Sequence, residues 1–250
     1  MDYNILNSNK DYWDAHAEDW LSIATTLPYY GVALSEDDLC LFGDVAGKKL
    51  LEICCGSGTS LQYHAERGAA ELWGLDISKA QLALAEARLK EHGCAAKLIC
   101  APMEADLDIP QGYFDCVYSV YGIGWTTDLQ GTFGKIASYL KKGGTFIFSW
   151  HHTLNFCVAF SIPERKIVLE DGKLVFHRSY FDESWFRLPI HDSEVLLCNR
   201  KISTYVNALA KAGFAIEHMA EQPDTSENDS EKAQKAKMLP ISFCIKARKL

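Results

Sequence analysis

The chain has 250 residues, of which 48% are hydrophobic and 23% charged, and its formal net charge is −8. That length buries a sizeable core, and that balance excludes a disordered chain or a disulfide-stapled miniprotein. The acidic excess argues against a nucleic-acid partner, whose phosphates are met by clustered Lys and Arg.

In chain order, Asn9 to Thr26 carries Tyr12, Trp13, His16, Trp20 and Leu21 in an aromatic-rich helical pattern. A helix packed on the body and a lid over a site both satisfy it; the lid reading turns Tyr12 toward a substrate. From residue 48, short apolar runs alternate with helix-period segments, which predicts βαβ units on a parallel sheet. The first strand, Lys49 to Ile53, ends in the loop Cys54-Cys55-Gly56-Ser57-Gly58, and a helix follows to about Arg67. A second strand runs from Glu71 to Asp76. Ser78 and Gln81 then have capping-box form, ahead of a helix with Leu82, Ala85 and Leu89 on its buried stripe.

Further strands are expected at 97–100 and 114–120, the latter nearly continuous in apolar residues, as a central strand requires. Leu129, Phe133, Ile136 and Leu140 mark a helix that Lys141-Lys142-Gly143-Gly144 closes, before a fifth strand at 145–150. Residues 151–199 break the alternation. They hold Phe156, Phe160, Phe176, Tyr180, Phe181, Trp185 and Phe186 with an Asp171-Gly172 hairpin signal, and read as an aromatic cap. Helix returns at 203–212, then a strand at 214–219, a polar solvated loop at 221–237 and a last strand at 240–247. The pattern describes one domain: an N-terminal helical lid at 1–45, a core at 46–150, the cap at 151–199, and a C-terminal helix and strand pair at 200–250.

Nine cysteines, with Cys54 and Cys55 adjacent and no CxxC spacing, fit a reducing cytoplasmic compartment. Most sit on apolar strands (Cys100, Cys116, Cys244) and read as small hydrophobes. No basic-then-apolar leader opens the sequence, and no window is apolar enough for a membrane span.

The loop after the first strand carries the chemistry. Glycines at a strand-to-helix turn let a backbone approach a ligand, and the helix start offers unpaired N–H groups. The third Gly of a dinucleotide fingerprint is missing, since Leu61 stands there, and no Walker Lys follows. Glu52 and Asp76, at the ends of the first two strands, would repel a pyrophosphate. They suit a ligand with a ribose diol, an ammonium group and a positive sulfur.

Leu50-Leu51-Glu52-Ile53-Cys54-Cys55-Gly56-Ser57-Gly58 resembles the first motif of class I S-adenosylmethionine-dependent methyltransferases, and Gly74-Leu75-Asp76-Ile77-Ser78 is similar to their ribose-binding motif. Pro102-Met103-Glu104, Tyr113 to Val117 and Leu140 to Gly144 follow in the family's order. The resemblance covers about 45–150, with Gly213-Phe214 and the final strand similar to the family's C-terminal hairpin. It implies a Rossmann-like, doubly wound seven-stranded sheet, mostly parallel with an antiparallel C-terminal hairpin. The sequence departs at Cys54, where the family usually has Gly. The resemblance further implies that Glu52 and the Cys54, Cys55, Gly56, Ser57 and Gly58 backbone hold the amino-acid end of S-adenosylmethionine. Asp76 would bind the ribose, Ile77, Met103 and Glu104 would border the adenine, and Tyr118 to Tyr121 would face the methionine and the acceptor.

Methyl transfer from a sulfonium needs alignment and exclusion of water, with a base only where the acceptor must lose a proton. Tyr121 and His152 are the candidate catalytic residues. Tyr12, Tyr121, Trp125 and His152 are the candidate substrate contacts. A hydrogen-bonded structural role competes for His152. His151, His152 and Cys157 do not make a metal site, because adjacent strand residues point to opposite faces. A small-molecule methyltransferase and a non-catalytic cofactor-binding protein both fit; the acceptor and the oligomeric state stay open.

Overall fold

The computed structural model describes residues 2–21, 25–158, 160–161, 166–167 and 169–250. Its central sheet has seven strands: β1 (Lys49–Ile53), β2 (Glu71–Asp76), β3 (Lys97–Cys100), β4 (Phe114–Ser119), β5 (Leu140–His151), β6 (Phe214–Ala220) and β7 (Ser242–Lys249). Their order is β6-β7-β5-β4-β1-β2-β3. β1 to β5 pair in parallel, and β7 inserts antiparallel between β5 and β6. This is the doubly wound, Rossmann-like sheet that the alternation and the motifs led us to expect. The order reverses between β1 and β4, and sheets of this kind bind ligands at the carboxyl ends of the strands beside that reversal.

Seven helices matter here: α1 (Tyr3–Ala15), α2 (Ala17–Leu21), α3 (Thr59–Ala65), α4 (Lys79–Glu91), α5 (Leu129–Tyr139), α6 (Ile202–Lys211) and α7 (Glu231–Met238). Period-two alternation sorts β1 between two layers. Leu51 and Ile53 join a core with Phe133 and Ile136 of α5 and Tyr205 and Leu209 of α6. Leu50 packs instead with Leu61 of α3 and Leu82 and Leu89 of α4. Burying each such side chain contributes about 1.5–3 kcal/mol. Glu52 shares the face of Leu50. That is how an apolar strand delivers a carboxylate to its own end.

Several expectations need correction. β5 begins at Leu140, not at Thr145: Lys141 to Gly144 are absorbed into the strand through a register shift opposite Phe114 and Cys116. Residues 221–237 are not all loop, because Ser230 caps α7 and its Ala233, Lys235 and Ala236 are buried. Cys100 is exposed, since β3 is the sheet's outer edge, whereas Cys116 and Cys244 are buried. The N-terminal pattern starts earlier, at Tyr3, capped by the Asp2 carboxylate. Beyond the sheet, Asp171 and Gly172, with φ of +49° and +73°, turn the hairpin formed by Leu169–Glu170 and Lys173–Leu174. A longer hairpin pairs Trp185–Ile190 with Ser193–Cys198. Of the cap aromatics, Phe176 and Phe181 are exposed, and the side chain of Phe160 lies outside those described. Among the described residues no helix is long and apolar enough to cross a membrane.

Candidate active site

Three residues of the loop after β1 take left-handed backbone: Cys54 (φ +58°), Gly56 (+50°) and Gly58 (+74°). Such a conformation costs a non-glycine residue about 1–2 kcal/mol, so Cys54 is held there by its surroundings. The loop is tied to β2: the Cys55 N–H donates to the Leu75 carbonyl at 3.1 Å, and the Gly56 N–H donates to Asp76 Oδ2 at 2.9 Å. Gly58 begins α3 with no side-chain cap. A Cβ there would lie 2.9 Å from that of Ala85, so its absence lets α3 close on α4. The result is a backbone cradle with small side chains.

Three buried acids face this cradle. Glu52 accepts a hydrogen bond from the Tyr118 hydroxyl at 3.1 Å. Burial pushes its carboxyl well above the usual carboxylate range, with Asp76 adding to the rise. Asp76 uses one oxygen for Gly56 and the other for the Ser78 N–H at 2.9 Å; burial raises it against those bonds. Glu104 Oε1 accepts from Thr126 Oγ1 at 2.9 Å and the Thr127 N–H at 2.6 Å. Its Oε2 is buried with no hydrogen-bond partner among the described residues. Burial, with nearby carboxylates, raises the Cys54 and Cys55 thiols well above their ordinary value. They stay protonated at neutral pH and are poor nucleophiles.

A cavity of about 620 Å³ opens over the carboxyl ends of β1, β2, β4 and β5. It brings together Glu52, Cys54, Cys55, Gly56, Ser57, Asp76, Ile77, Met103, Glu104, Tyr121 and Trp125. At its other end stand Trp13 and Trp20 from the N-terminal helices, Trp150 and His151 from β5, and Leu188, Ile190 and Leu197 from the hairpin. The cap thus contributes aliphatic side chains, and among the described residues its Phe, Tyr and Trp side chains do not line the cavity. Trp125 sits edge-on between Trp13 (5.5 Å, 86°) and Trp150 (5.3 Å, 77°). Tyr121, at φ +54°, lies edge-on to His151 at 5.0 Å.

Four expected site residues do not line the cavity. Gly58 sits behind the cradle. Tyr118 is fully buried below Glu52, holding its carboxyl. Tyr12 is buried behind the wall and accepts from Trp20 Nε1 at 3.2 Å. His152 faces away: its Nδ1 accepts from the Leu154 N–H at 3.1 Å, and its Nε2 lies 2.9 Å from Glu221. Its neighbour His151 takes the place expected for it. The His151 Nδ1 is buried without a partner among the described residues, and burial, with Lys235 and Lys232 nearby, lowers its pKa to about 4. The signal lay in strand register: Tyr118 pairs with Ile147, so Ile147, Ser149 and His151 share the face of Tyr118 and Glu52.

These residues fit S-adenosylmethionine. No Lys or Arg lines the cavity among the described residues, so it offers nothing to a phosphate and three acids to a cation. Asp76 keeps lone pairs for a diol, and Glu104 Oε2 lacks the donor that an exocyclic amine provides.

Residues 50–144 match the family model of a methyltransferase domain. The chain is 29% identical over 232 residues to a protein of Haemophilus influenzae, covering 85% of each. It is 29% identical over 182 residues to the demethylmenaquinone methyltransferase of Lactococcus lactis, covering 70% of this chain and 69% of that one. An S-adenosylmethionine-dependent methyltransferase from Mesorhizobium loti matches its fold with a TM-score of 0.68 at 25% identity, covering 84% of this chain and 95% of that one. With the motif order, sheet order and acidic cradle already described, these likenesses support a class I S-adenosylmethionine-dependent methyltransferase.

Proposed function

We propose that the chain methylates a small, largely apolar organic molecule bound between Tyr121, Trp125 and His151. One observation carries this: the acidic cradle and the aromatic and aliphatic pocket are two ends of the same cavity. That continuity supports catalysis over passive cofactor binding. The cofactor supplies an activated methyl group on a sulfonium. Glu52 and the cradle amides hold its amino-acid end. Asp76 accepts from the ribose hydroxyls, Ile77 and Met103 border the adenine, and Glu104 Oε2 accepts from its amine.

On the acceptor side, the tryptophan faces and edges fix a flat or greasy molecule and leave little room for water. His151 is neutral above about pH 4, so at neutral pH it accepts a hydrogen bond or a proton from the acceptor. It replaces His152 in that role. The N-terminal helices and the 185–198 hairpin close the cavity as a lid, joined through Asn9. The acceptor named for the Lactococcus relative, demethylmenaquinone, is one to test.

Calorimetry with S-adenosylhomocysteine, followed by an assay of its release over quinols, phenols, apolar amines and phosphorylated metabolites, tests the proposal. Turnover is expected with an apolar class and with no phosphorylated one. Turnover confined to phosphorylated or strongly anionic acceptors would overturn it.

A further inference from the structure

Two walls of the cavity meet just outside it. α1 and α2 contribute Trp13 and Trp20, and the 185–198 hairpin contributes Leu188, Ile190 and Leu197. At the junction, His16 follows α1, Asp19 lies on α2, and His191 occupies the hairpin turn. Both imidazoles turn Nδ1 toward one carboxylate oxygen, Asp19 Oδ2, at 2.8 Å from His16 and 3.3 Å from His191. Asp192 adds a second carboxylate, its Oδ1 3.4 Å from His16 Nε2. Among the described residues, His16, Asp19 and His191 are the one group of three or more His, Cys, Asp or Glu whose donor atoms all lie within 4.8 Å of one another.

The rings are held from behind. His191 has φ of +57°, a conformation found in only a few per cent of non-glycine residues. Its imidazole stacks on Trp20, with centroids 5.7 Å apart and planes 16° apart. His16 packs against Tyr12 at 4.7 Å, and its side chain is only 13% exposed.

We propose that His16, Asp19 and His191 bind one divalent transition-metal ion of the Zn²⁺ class, which latches the N-terminal helices to the hairpin. Tetrahedral bonds of about 2.0–2.2 Å place ligand atoms roughly 3.4 Å apart, close to the 3.3 Å between His191 Nδ1 and Asp19 Oδ2, and the 2.8 Å His16 contact widens to admit the ion. Two imidazoles and one carboxylate suit such an ion and not Ca²⁺ or Mg²⁺, which take oxygen ligands. Water fills the fourth position, while Asp192 stays on the far side of the His16 ring, 3.4 Å from Nε2. Because two ligands come from one wall and the third from the other, the ion cross-links them over Trp20 and Ile190 and slows opening of the cavity mouth. The site lies outside the cavity, and it stands independently of the acceptor class.

The test is a Co²⁺ titration of the full, chelator-stripped chain, followed by its visible d–d absorption with Zn²⁺ in competition. One equivalent of Co²⁺ is expected, displaced by one of Zn²⁺. His16→Ala and His191→Asn each weaken uptake at least about tenfold, and His218→Ala, on an exposed strand face, leaves it unchanged. Asn accepts left-handed backbone, so His191→Asn removes the ligand and keeps the turn. S-adenosylhomocysteine binding by the metal-free variants reports separately that they are folded. In hydrogen exchange, Zn²⁺ should slow residues 3–21 and 185–198 together in the parent chain and not in His191→Asn. Absent or non-saturable Co²⁺ uptake, or uptake unaffected by His191→Asn, would leave only a hydrogen-bonded triad and overturn the proposal.

Discussion

Cys54 and Gly122 share one space: a Cβ on Gly122 would lie 2.5 Å from the Cβ of Cys54. It would also press on Ser119 Oγ at 2.6 Å and the Ile53 carbonyl at 3.1 Å. The Cys54 thiol points at the Gly122 carbonyl, 3.7 Å away. The residue that departs from the family's usual glycine is thus accommodated by a glycine across the β1–β4 reversal. Gly122→Ala should destabilise the protein by about 1–3 kcal/mol and weaken S-adenosylhomocysteine binding, because the cradle must move. Cys54→Gly relieves both the backbone strain and part of the clash. Gly122→Ala should therefore cost less in that background, though Ser119 and Ile53 keep it from being silent. Urea denaturation of the four proteins measures the coupling. Strictly additive effects would refute the shared space.

Glu52 and Asp76 give cofactor binding a pH signature. Burial raises both carboxyls in the ligand-free protein, Glu52 strongly. A raised carboxyl contributes stability that is full below the ordinary carboxylate range and lost as pH climbs through its raised folded value. A cationic ligand favours the ionised form, so binding releases protons and affinity grows with pH across that window. Titration with S-adenosylmethionine near pH 6, in buffers of different ionisation enthalpy, should show net proton release that Glu52→Gln largely removes. Proton uptake on binding would contradict the assignment.

The sheet was legible because its signals are local: apolar strands of the right length, a Gly turn after β1, and carboxylates at two strand ends. Ser78 caps α4 as its sequence pattern predicts, its hydroxyl accepting the Gln81 N–H at 3.1 Å. What escaped depends on distant segments. Choosing His151 over His152 requires the β4–β5 register, and placing Trp13, Trp20 and Trp150 around Trp125 requires knowing how α1 packs between α4 and the 185–198 hairpin. Helix α7 hid in a polar stretch because its inner face is two alanines and Lys235, a fully buried lysine whose ammonium donates to the Asn155 carbonyl at 2.6 Å. His16 and His191 come together only when the hairpin meets α2.

The adjacent histidines predict opposite phenotypes. His151→Ala removes a polar group facing the acceptor pocket, so turnover should fall by about 10²-fold or more if it takes a proton, with S-adenosylhomocysteine affinity nearly unchanged. Because its pKa lies near 4, its contribution should stay flat from pH 6 to 8. His152→Ala removes the acceptor for the Leu154 N–H and the contact with Glu221. It should cost about 1 kcal/mol of stability and spare turnover per folded molecule. Steady-state kinetics with a thermal melt on both variants separates the roles, and a larger kinetic defect in His152→Ala would reverse them.

Asn9 tests whether the N-terminal helix and the hairpin move as one lid. Its side-chain amide donates to the Leu196 carbonyl at 2.9 Å, and its oxygen accepts the Leu196 N–H at 2.8 Å, so it fills the place of one strand residue beside the hairpin edge. Asn9 is buried and also lines the cavity, so Asn9→Ala strands both backbone groups of Leu196. Losing two such hydrogen bonds costs about 1 kcal/mol each, and more where the orphaned groups stay dry. Amide exchange at 193–198 should then accelerate, and the KM for the acceptor should rise. Affinity for S-adenosylhomocysteine should change less, because the cradle at 54–57 is fastened to β2 through Asp76 and Leu75. If instead cofactor affinity collapses while the acceptor KM holds, α1 is part of the cofactor site and the hairpin is not its partner in closure.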